Sequence, residues 1–212
     1  MNTKKIAFYV LAVILGGCVP SLQPLYTNND LIYEQKLLGK WVSGDPNTQW
    51  KFDEVSVQGD AKKYYLLTVT DKNGSGQFDA HLLKLDNMMF LDLFPKDVNI
   101  QNCDLMKVHL VPAHTFYKVE QIDPNLMLKT LLNDDTEKLL EKDPNAVKHE
   151  IIDKRIVLTA STKDLQKFVK KNANNEDVFK EFVKLIRPTA KEPNAPEPNS
   201  INKNIPIEKV LQ

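Results

Sequence analysis

The chain has 212 residues, with 28 lysines and arginines balanced by 28 aspartates and glutamates, and only two cysteines. A neutral chain without basic blocks is unlike a dedicated nucleic-acid binder, which neutralises phosphates with clustered Lys and Arg. Two cysteines exclude both a disulfide framework and a four-thiolate zinc site. The length fits one domain or at most two.

The first predicted element is a secretory signal at the N-terminus. Two lysines precede an apolar run from Ile6 to Leu15, and small residues follow that run. As a helix, this run reaches about 15 Å, roughly half of a ~30 Å hydrocarbon core. A secretory signal over residues 1–17 therefore fits the sequence better than a permanent membrane span.

The segment Leu15-Gly16-Gly17-Cys18 resembles the bacterial lipobox. The resemblance implies cleavage after Gly17, a diacylglyceryl group on the Cys18 thiol and an acyl chain on its amino group, and such multiple chains anchor a protein stably. Val19, rather than Asp, follows the cysteine, as in lipoproteins sorted to the outer membrane. We therefore expect a lipid-anchored protein of the cell envelope, on the outer membrane and facing the periplasm. The alternative is an ordinary signal peptide with an incidental cysteine.

Two proline-containing segments flank the predicted body, which is expected over residues 31–187. Residues 18–30 hold two prolines and no sustained periodicity, which predicts a lipidated tether. Residues 188–212 hold five of the chain's 12 prolines and are predicted to be disordered. If Cys18 is acylated, Cys103 has no disulfide partner, and it is predicted to be a small buried or half-buried residue.

The first two thirds of the body predict strands, because short aromatic and aliphatic runs alternate with Gly, Pro, Asn and Asp. Asn73-Gly74 favours a tight hairpin, since Asn-Gly readily takes positive φ. Met106, Val108 and Leu110 recur at every second position, which indicates one buried face. The predicted strands cover residues 41–43, 48–55, 64–70, 76–85, 88–94, 106–111, 114–122 and 126–132.

The last third of the body mixes helices with one more strand. A helix is predicted over residues 134–143, before Pro144, and a strand over residues 151–159. A second helix begins at Ser161, and a third follows Asn175 and ends at Pro188. The fold is thus predicted to be mainly β (α+β): a small closed antiparallel barrel of about eight strands with C-terminal helices, since closure removes exposed edges.

The segment from Leu37 to Trp41 resembles the Gly-x-Trp signature of the lipocalins, through Gly39 and Trp41. The resemblance implies that Trp41 plugs the closed end of an eight-stranded barrel and that an arginine stacks on it. The chain has two arginines, Arg155 and Arg187, and Arg155 begins the last predicted strand. We therefore expect Arg155 to complete the plug.

Several segments resemble a family of bacterial lipoproteins with a lipocalin-like β-barrel. This resemblance implies an architecture and a location in the envelope, but no assigned activity. The segments are Pro20–Leu22, Pro24–Thr27, Phe90–Pro95, Pro112–Phe116 and Leu158–Thr162.

Asp92 is the most informative polar residue, because it lies between two leucines and shares a strand face with Phe90 and Phe94. One interpretation is a carboxylate at the rim of the barrel mouth. The other is a polar anchor inside a ligand cavity, so these three residues are candidates to line a ligand site. His109 and His114 would need His81 as a third metal ligand, and surface histidines are the favoured interpretation.

The sequence contains no nucleophile elbow, no His-Glu-x-x-His pair and no phosphate loop, so we expect no enzymatic activity, no cofactor and no metal. The favoured function is binding of a small apolar or lipid-like ligand inside the barrel. The alternative is an adaptor that binds a protein partner of the envelope. A carrier should have an empty interior, whereas an adaptor should have a packed one.

Overall fold

The computed structural model describes residues 17–45, 47–56, 63–96 and 109–188. Residues 1–16 of the predicted signal, Cys103 and the predicted tail beyond Pro188 lie outside these ranges. The described strands are β1 (Gly39–Val42), β2 (Gln49–Ser56), β3 (Lys63–Asp71), β4 (Gly74–Leu85), β5 (Met88–Lys96), β6 (Thr115–Gln121), β7 (Asn125–Leu131), β8 (His149–Ile152), β9 (Arg155–Leu158) and β10 (Phe179–Ile186). The described helices are a 3-10 turn (Gln35–Leu37), α1 (Asn133–Lys142) and α2 (Thr162–Asn172).

Eight of the strands form a closed antiparallel barrel in the order β1-β10-β7-β6-β5-β4-β3-β2. Every barrel strand therefore has a neighbour on both sides, and no edge is left open. Strands β8 and β9 form a separate two-stranded hairpin. The predicted class, a mainly β chain with a small eight-stranded barrel and helices after it, is confirmed.

The third predicted helix, after Asn175, is wrong, because this segment is the barrel strand β10. It pairs with β7 along most of its length, and the register shifts between Glu181 and Val183. Such a bulge inserts one extra residue and breaks the two-residue alternation, so the apolar spacing resembles that of a helix. The pairings of β10 with β7 and β1 close the barrel, and a local pattern cannot reveal them.

The predicted strand over residues 151–159 is also corrected. Asp153 and Lys154 take positive φ values of 48° and 66°, so the chain reverses between β8 and β9. Two consecutive residues with positive φ define a tight hairpin turn, which usually contains Asn or Gly. Of the predicted strand over residues 106–111, Met106 to Val108 lie outside the described residues, and His109 to Val111 belong to no strand.

The barrel has a second core on its outer surface. Along β4, Leu82 faces the interior cluster, whereas Leu83 joins the outer cluster. The predicted helix at Ser161 is confirmed as α2: Ser161 accepts a hydrogen bond from the Asp164 N–H and caps the helix. The α2 residue Phe168 is buried in the outer cluster. The outer layer consists of α1, α2, the β8–β9 hairpin and the N-terminal residues.

The segment predicted as a tether is packed against the barrel. We call residues 17–32 the N-terminal strap. Val19, Ser21 and Leu25 are each no more than 2% exposed. The strap forms isolated bridges to Leu132, to His114 and to other residues of the body. The few apolar residues of the strap show neither helix nor strand periodicity, so composition alone suggested a linker. The residues that it bridges are all distant in the sequence.

Candidate functional site

Trp41 closes one end of the barrel as the Gly-x-Trp pattern predicts. It is 1% exposed, and its indole N–H donates to the Leu37 carbonyl at 2.9 Å. Gly39 has a φ of 96°, and a Cβ there would lie 3.1 Å from the Arg187 guanidinium. The backbone conformation therefore favours glycine at this position, and the close approach of Arg187 leaves little room for a Cβ.

The arginine on this plug is Arg187, not Arg155. The Arg187 guanidinium lies 3.6 Å from the centre of the Trp41 ring and donates to the carbonyls of Leu38 and Lys40 at 2.8 and 3.3 Å. Arg155 is exposed on the separate β8–β9 hairpin. The error follows from the missed strand β10, because Arg187 is the residue that directly follows it.

Arg187→Ala is expected to lower the free energy of unfolding by about 2–3 kcal/mol. The change removes a cation–π contact and several charged hydrogen bonds that tie β1 to the end of β10. Arg155→Ala is the matched control and should change stability by less than about 0.5 kcal/mol, because its exposed side chain forms no hydrogen bond, ion pair or ring contact with the described residues. Urea unfolding of both variants measures the difference, and equal stabilities would contradict the assignment of Arg187 to the plug.

Large side chains fill the barrel interior. Trp50 on β2 and Tyr117 on β6 meet edge to face with ring centres 6.3 Å apart. Because β2 and β6 are not neighbours in the barrel, this contact crosses the interior. An eight-stranded barrel is just wide enough for its own side chains. The buried interior residues are Trp41, Trp50, Phe52, Tyr65, Leu67, Leu82, Leu91, Leu93, Tyr117, Val119, Leu126, Leu128 and Leu185.

The candidate ligand-lining residues share one strand face, but that face points away from the barrel interior. Phe90 is buried in the outer cluster, and Asp92 is 0% exposed beneath the strap. The Phe94 ring packs at a tilt against the His114 ring, with ring centres 4.6 Å apart. Asp92 is therefore neither a carboxylate at the barrel mouth nor an anchor in the interior. The prediction placed these side chains together correctly and assigned them to the wrong side of the sheet.

Asp92 fastens the strap to the barrel. One carboxylate oxygen accepts the Leu25 backbone N–H at 2.7 Å, and the other lies 2.7 Å from His114 Nδ1. Both contacts are buried, and charge-assisted hydrogen bonds in such surroundings are strong. No sequence signal indicated the Asp92–His114 pair, because its members lie on adjacent elements 22 residues apart.

His81 lies beside this pair between two tyrosine rings. Its ring centre is 4.4 Å from that of Tyr26 and 5.1 Å from that of Tyr64. Burial lowers the pKa of His81, although the nearby Asp92 and Asp79 charges oppose the shift. Burial and the same two carboxylates raise the pKa of Tyr26 to about 12. The strap therefore covers a His81 that is held in its neutral form at neutral pH.

Stability is expected to fall when the pH drops from 7.5 to 5.5. Because the folded-state pKa of His81 lies below its ordinary value of 6.5, the unfolded chain binds a proton more readily below that pH. The stabilisation is present above pH 6.5 and is lost as the pH falls through it. His81→Phe keeps an aromatic ring but cannot titrate, so thermal unfolding should show a smaller pH-dependent loss. Equal losses in both proteins would refute the role of His81.

The predicted alternative of a three-histidine metal site is not assembled by the described residues. His109 is exposed, while His81 and His114 belong to the covered cluster around Asp92. Across residues 17–45, 47–56, 63–96 and 109–188, no group of three His, Cys, Asp or Glu side chains is placed to hold a metal ion.

Cys18 begins the packed part of the strap. It bridges Leu132 at the end of β7, and its Sγ lies 3.6 Å from the Tyr117 hydroxyl. Burial raises the pKa of the Cys18 thiol. The Gly17 carbonyl accepts the backbone N–H of Asn133 at 3.2 Å. The residue predicted to carry the lipid is thus in direct contact with the barrel.

Comparisons with protein-family models, curated proteins and solved structures find no match to this chain. In the described part of the chain, neither helix has the length and apolar character needed to cross a bilayer.

Proposed function

We propose that this chain is a lipid-anchored envelope protein that acts as a scaffold, binding a protein partner on its outer surface. The observation that carries this proposal is the filled barrel interior, with Trp50 and Tyr117 in contact across it. A carrier of an apolar ligand needs an internal site with room for that ligand. Because side chains occupy the interior, a partner protein would be recognised on the outer surface.

The packed strap supports attachment of the body directly at the membrane. A free linker over residues 18–30 would let the body move up to about 40 Å from its anchor. The strap removes this freedom, because its backbone is bonded to the barrel from Gly17 onward. After cleavage and N-acylation, the acyl carbonyl on the Cys18 nitrogen takes the chemical place of the Gly17 carbonyl. It can accept the same hydrogen bond from the Asn133 N–H.

The outer surface offers a partner a polar groove of about 500 Å³ beside α1. Asp135 in this groove pairs with Lys138 and Lys180 at 3.4 and 2.9 Å. A surface that presents both signs of charge favours a partner with complementary charges, and such complementarity gives specificity. This protein–protein binding requires no chemistry at the site.

Thermal unfolding of the acylated full chain with a panel of fatty acids and phospholipids tests the scaffold against the carrier. A ligand at 100 times its dissociation constant stabilises the folded state by about 2.7 kcal/mol, or roughly 5–10 °C for a domain of this size. We expect no saturable rise in the melting temperature with any of these compounds. A saturable rise of that size with one of them would overturn the scaffold and support the carrier.

A further inference from the structure

The turn of the β8–β9 hairpin exposes two adjacent isoleucines. Ile151 is 62% exposed and Ile152 is 58% exposed. Ile151 pairs with Ile156 and Ile152 pairs with Arg155, so the two side chains lie on opposite faces of the hairpin. The tip is therefore exposed on both faces, although Ile156, the cross-strand partner of Ile151, is buried. Single exposed aliphatic residues are ordinary, but two adjacent ones at an exposed tip indicate an interaction surface.

The hairpin tip lies next to the residue that is proposed to carry the lipid. Asn133 donates its backbone N–H to the Gly17 carbonyl and its side-chain Nδ2–H to the Lys154 carbonyl, at 3.2 Å each. Its Oδ1 also accepts the Ile156 N–H at 2.8 Å. One residue thus joins the start of the strap to the hairpin turn.

The parallel register between the strap and β9 also places the hairpin tip beside Cys18. Ser21 and Leu158 form a parallel bridge, supported by the Leu22 N–H on the Leu158 carbonyl. Counting back three residues on both parallel segments brings Cys18 and Arg155 to the same end. The lipid attachment point and the hairpin tip therefore face the same direction.

The charges of the tip also fit a lipid surface. Lys154 and Arg155 are exposed beside Asp153, which leaves the turn with a net positive charge. Basic side chains are attracted to anionic headgroups, and long ones keep their charge at the interface while apolar neighbours enter the acyl boundary. Isoleucines flanked by Lys and Arg are therefore suited to the headgroup region.

We propose that the hairpin tip, residues 151–155, inserts into the headgroup region of the bilayer that holds the Cys18 acyl chains. This inference rests on the proposed lipid anchor. The acyl chains and the tip then form two points of attachment, and together they fix the orientation of the barrel on the membrane. The opposite end of the barrel, which Trp41 closes, is directed away from the bilayer.

Spin labels on the acylated full chain in anionic liposomes test this orientation. Ile152→Cys carries the label in a Cys103→Ser background, because acylated Cys18 has no free thiol. The control is Asn87→Cys, an exposed site in the β4–β5 turn at the barrel end opposite Leu132. Relaxation by oxygen, which partitions into lipid, is compared with relaxation by a water-soluble nickel complex. We expect the oxygen-to-nickel ratio to be several-fold higher at residue 152 than at residue 87.

Two outcomes would overturn the inference, and they are distinguishable. If the protein is acylated and bound to liposomes but both labels are equally exposed to nickel, the tip does not contact the membrane and the lipid anchor stands. If the chain carries no acyl group, the anchor and the tip proposal fail together. Adding Ile151→Asp to the residue 152 label provides a second measurement, and we expect it to lower the oxygen-to-nickel ratio toward that of residue 87.

Discussion

Cys18→Ser is expected to abolish incorporation of labelled palmitate and to leave residues 1–17 attached to the chain. A hydroxyl is a far weaker nucleophile than a thiol, so the diacylglyceryl group cannot be transferred to it. The fold should be unchanged, because the Cys18 side chain contributes only a weak contact at 3.6 Å to the Tyr117 hydroxyl. Palmitate labelling and the mass of the chain in its host measure the effect.

Cys103→Ser is the matched control, since it removes the only other cysteine in the chain. This variant should be labelled and shortened like the natural protein. A Cys18→Ser chain that still incorporates palmitate and loses its first 17 residues would show that Cys18 is not the lipid site. If the natural chain itself incorporated no palmitate and both chains still lost the signal, the alternative of an ordinary signal peptide would be favoured.

Asp92→Ala is expected to lower the free energy of unfolding by about 3–5 kcal/mol. The substitution leaves the Leu25 N–H without its acceptor at 2.7 Å and His114 without its carboxylate. Both groups are buried, so water cannot readily replace the lost hydrogen bonds. The loss should also release the strap, so hydrogen exchange of the Leu25 amide should rise more than that of the barrel strands. Urea unfolding and amide exchange measure the two effects.

The exposed pair of Asp53 and Lys51 provides the control for Asp92. Its atoms are 3.1 Å apart, but the Asp53 side chain is 45% exposed. Exposed ion pairs contribute little, so Asp53→Ala should change stability by less than about 0.5 kcal/mol. If Asp92→Ala were as mild as Asp53→Ala, Asp92 would not be the fastening point of the strap.

The barrel could be predicted from the sequence because its strands are local and regular. Asn73-Gly74 marks a turn between β3 and β4, and the alternation along β5 placed Phe90, Asp92 and Phe94 on one face. Alternation alone does not say which face is the interior. That choice depends on the helices, hairpin and strap that cover the outer surface, and these come from distant parts of the chain.

The predicted free tether and the predicted plug arginine are wrong for one physical reason, which is that the deciding contacts are non-local. The strap packs against the body through backbone bonds to residues about 50 to 140 positions away, such as Ile32 with Leu82 and Pro20 with Leu158. Arg187 could have been assigned to Trp41 only after β10 was recognised as the closing strand. The bulge in β10 gives its apolar residues a helix-like spacing, so the sequence predicted a helix instead of this strand.

The proposed lipid anchor and hairpin tip together explain how the barrel is held at the membrane. From Cys18 onward, the strap crosses the outer surface over Asp92 and reaches β4 at Leu83. The proposed acyl chains would therefore be attached to a segment that is bonded along its length to the barrel. A body held in this way would present a constant outer face to a partner in the envelope.

Native mass spectrometry of the protein extracted from its host envelope tests the lipid anchor and the filled interior together. We expect a mass equal to residues 18–212 plus one diacylglyceryl group and one amide-linked acyl chain, with no other bound molecule. A further small molecule, present in equal amount and lost on denaturation, would contradict the solid scaffold. A mass with an unmodified Cys18 would contradict the anchor.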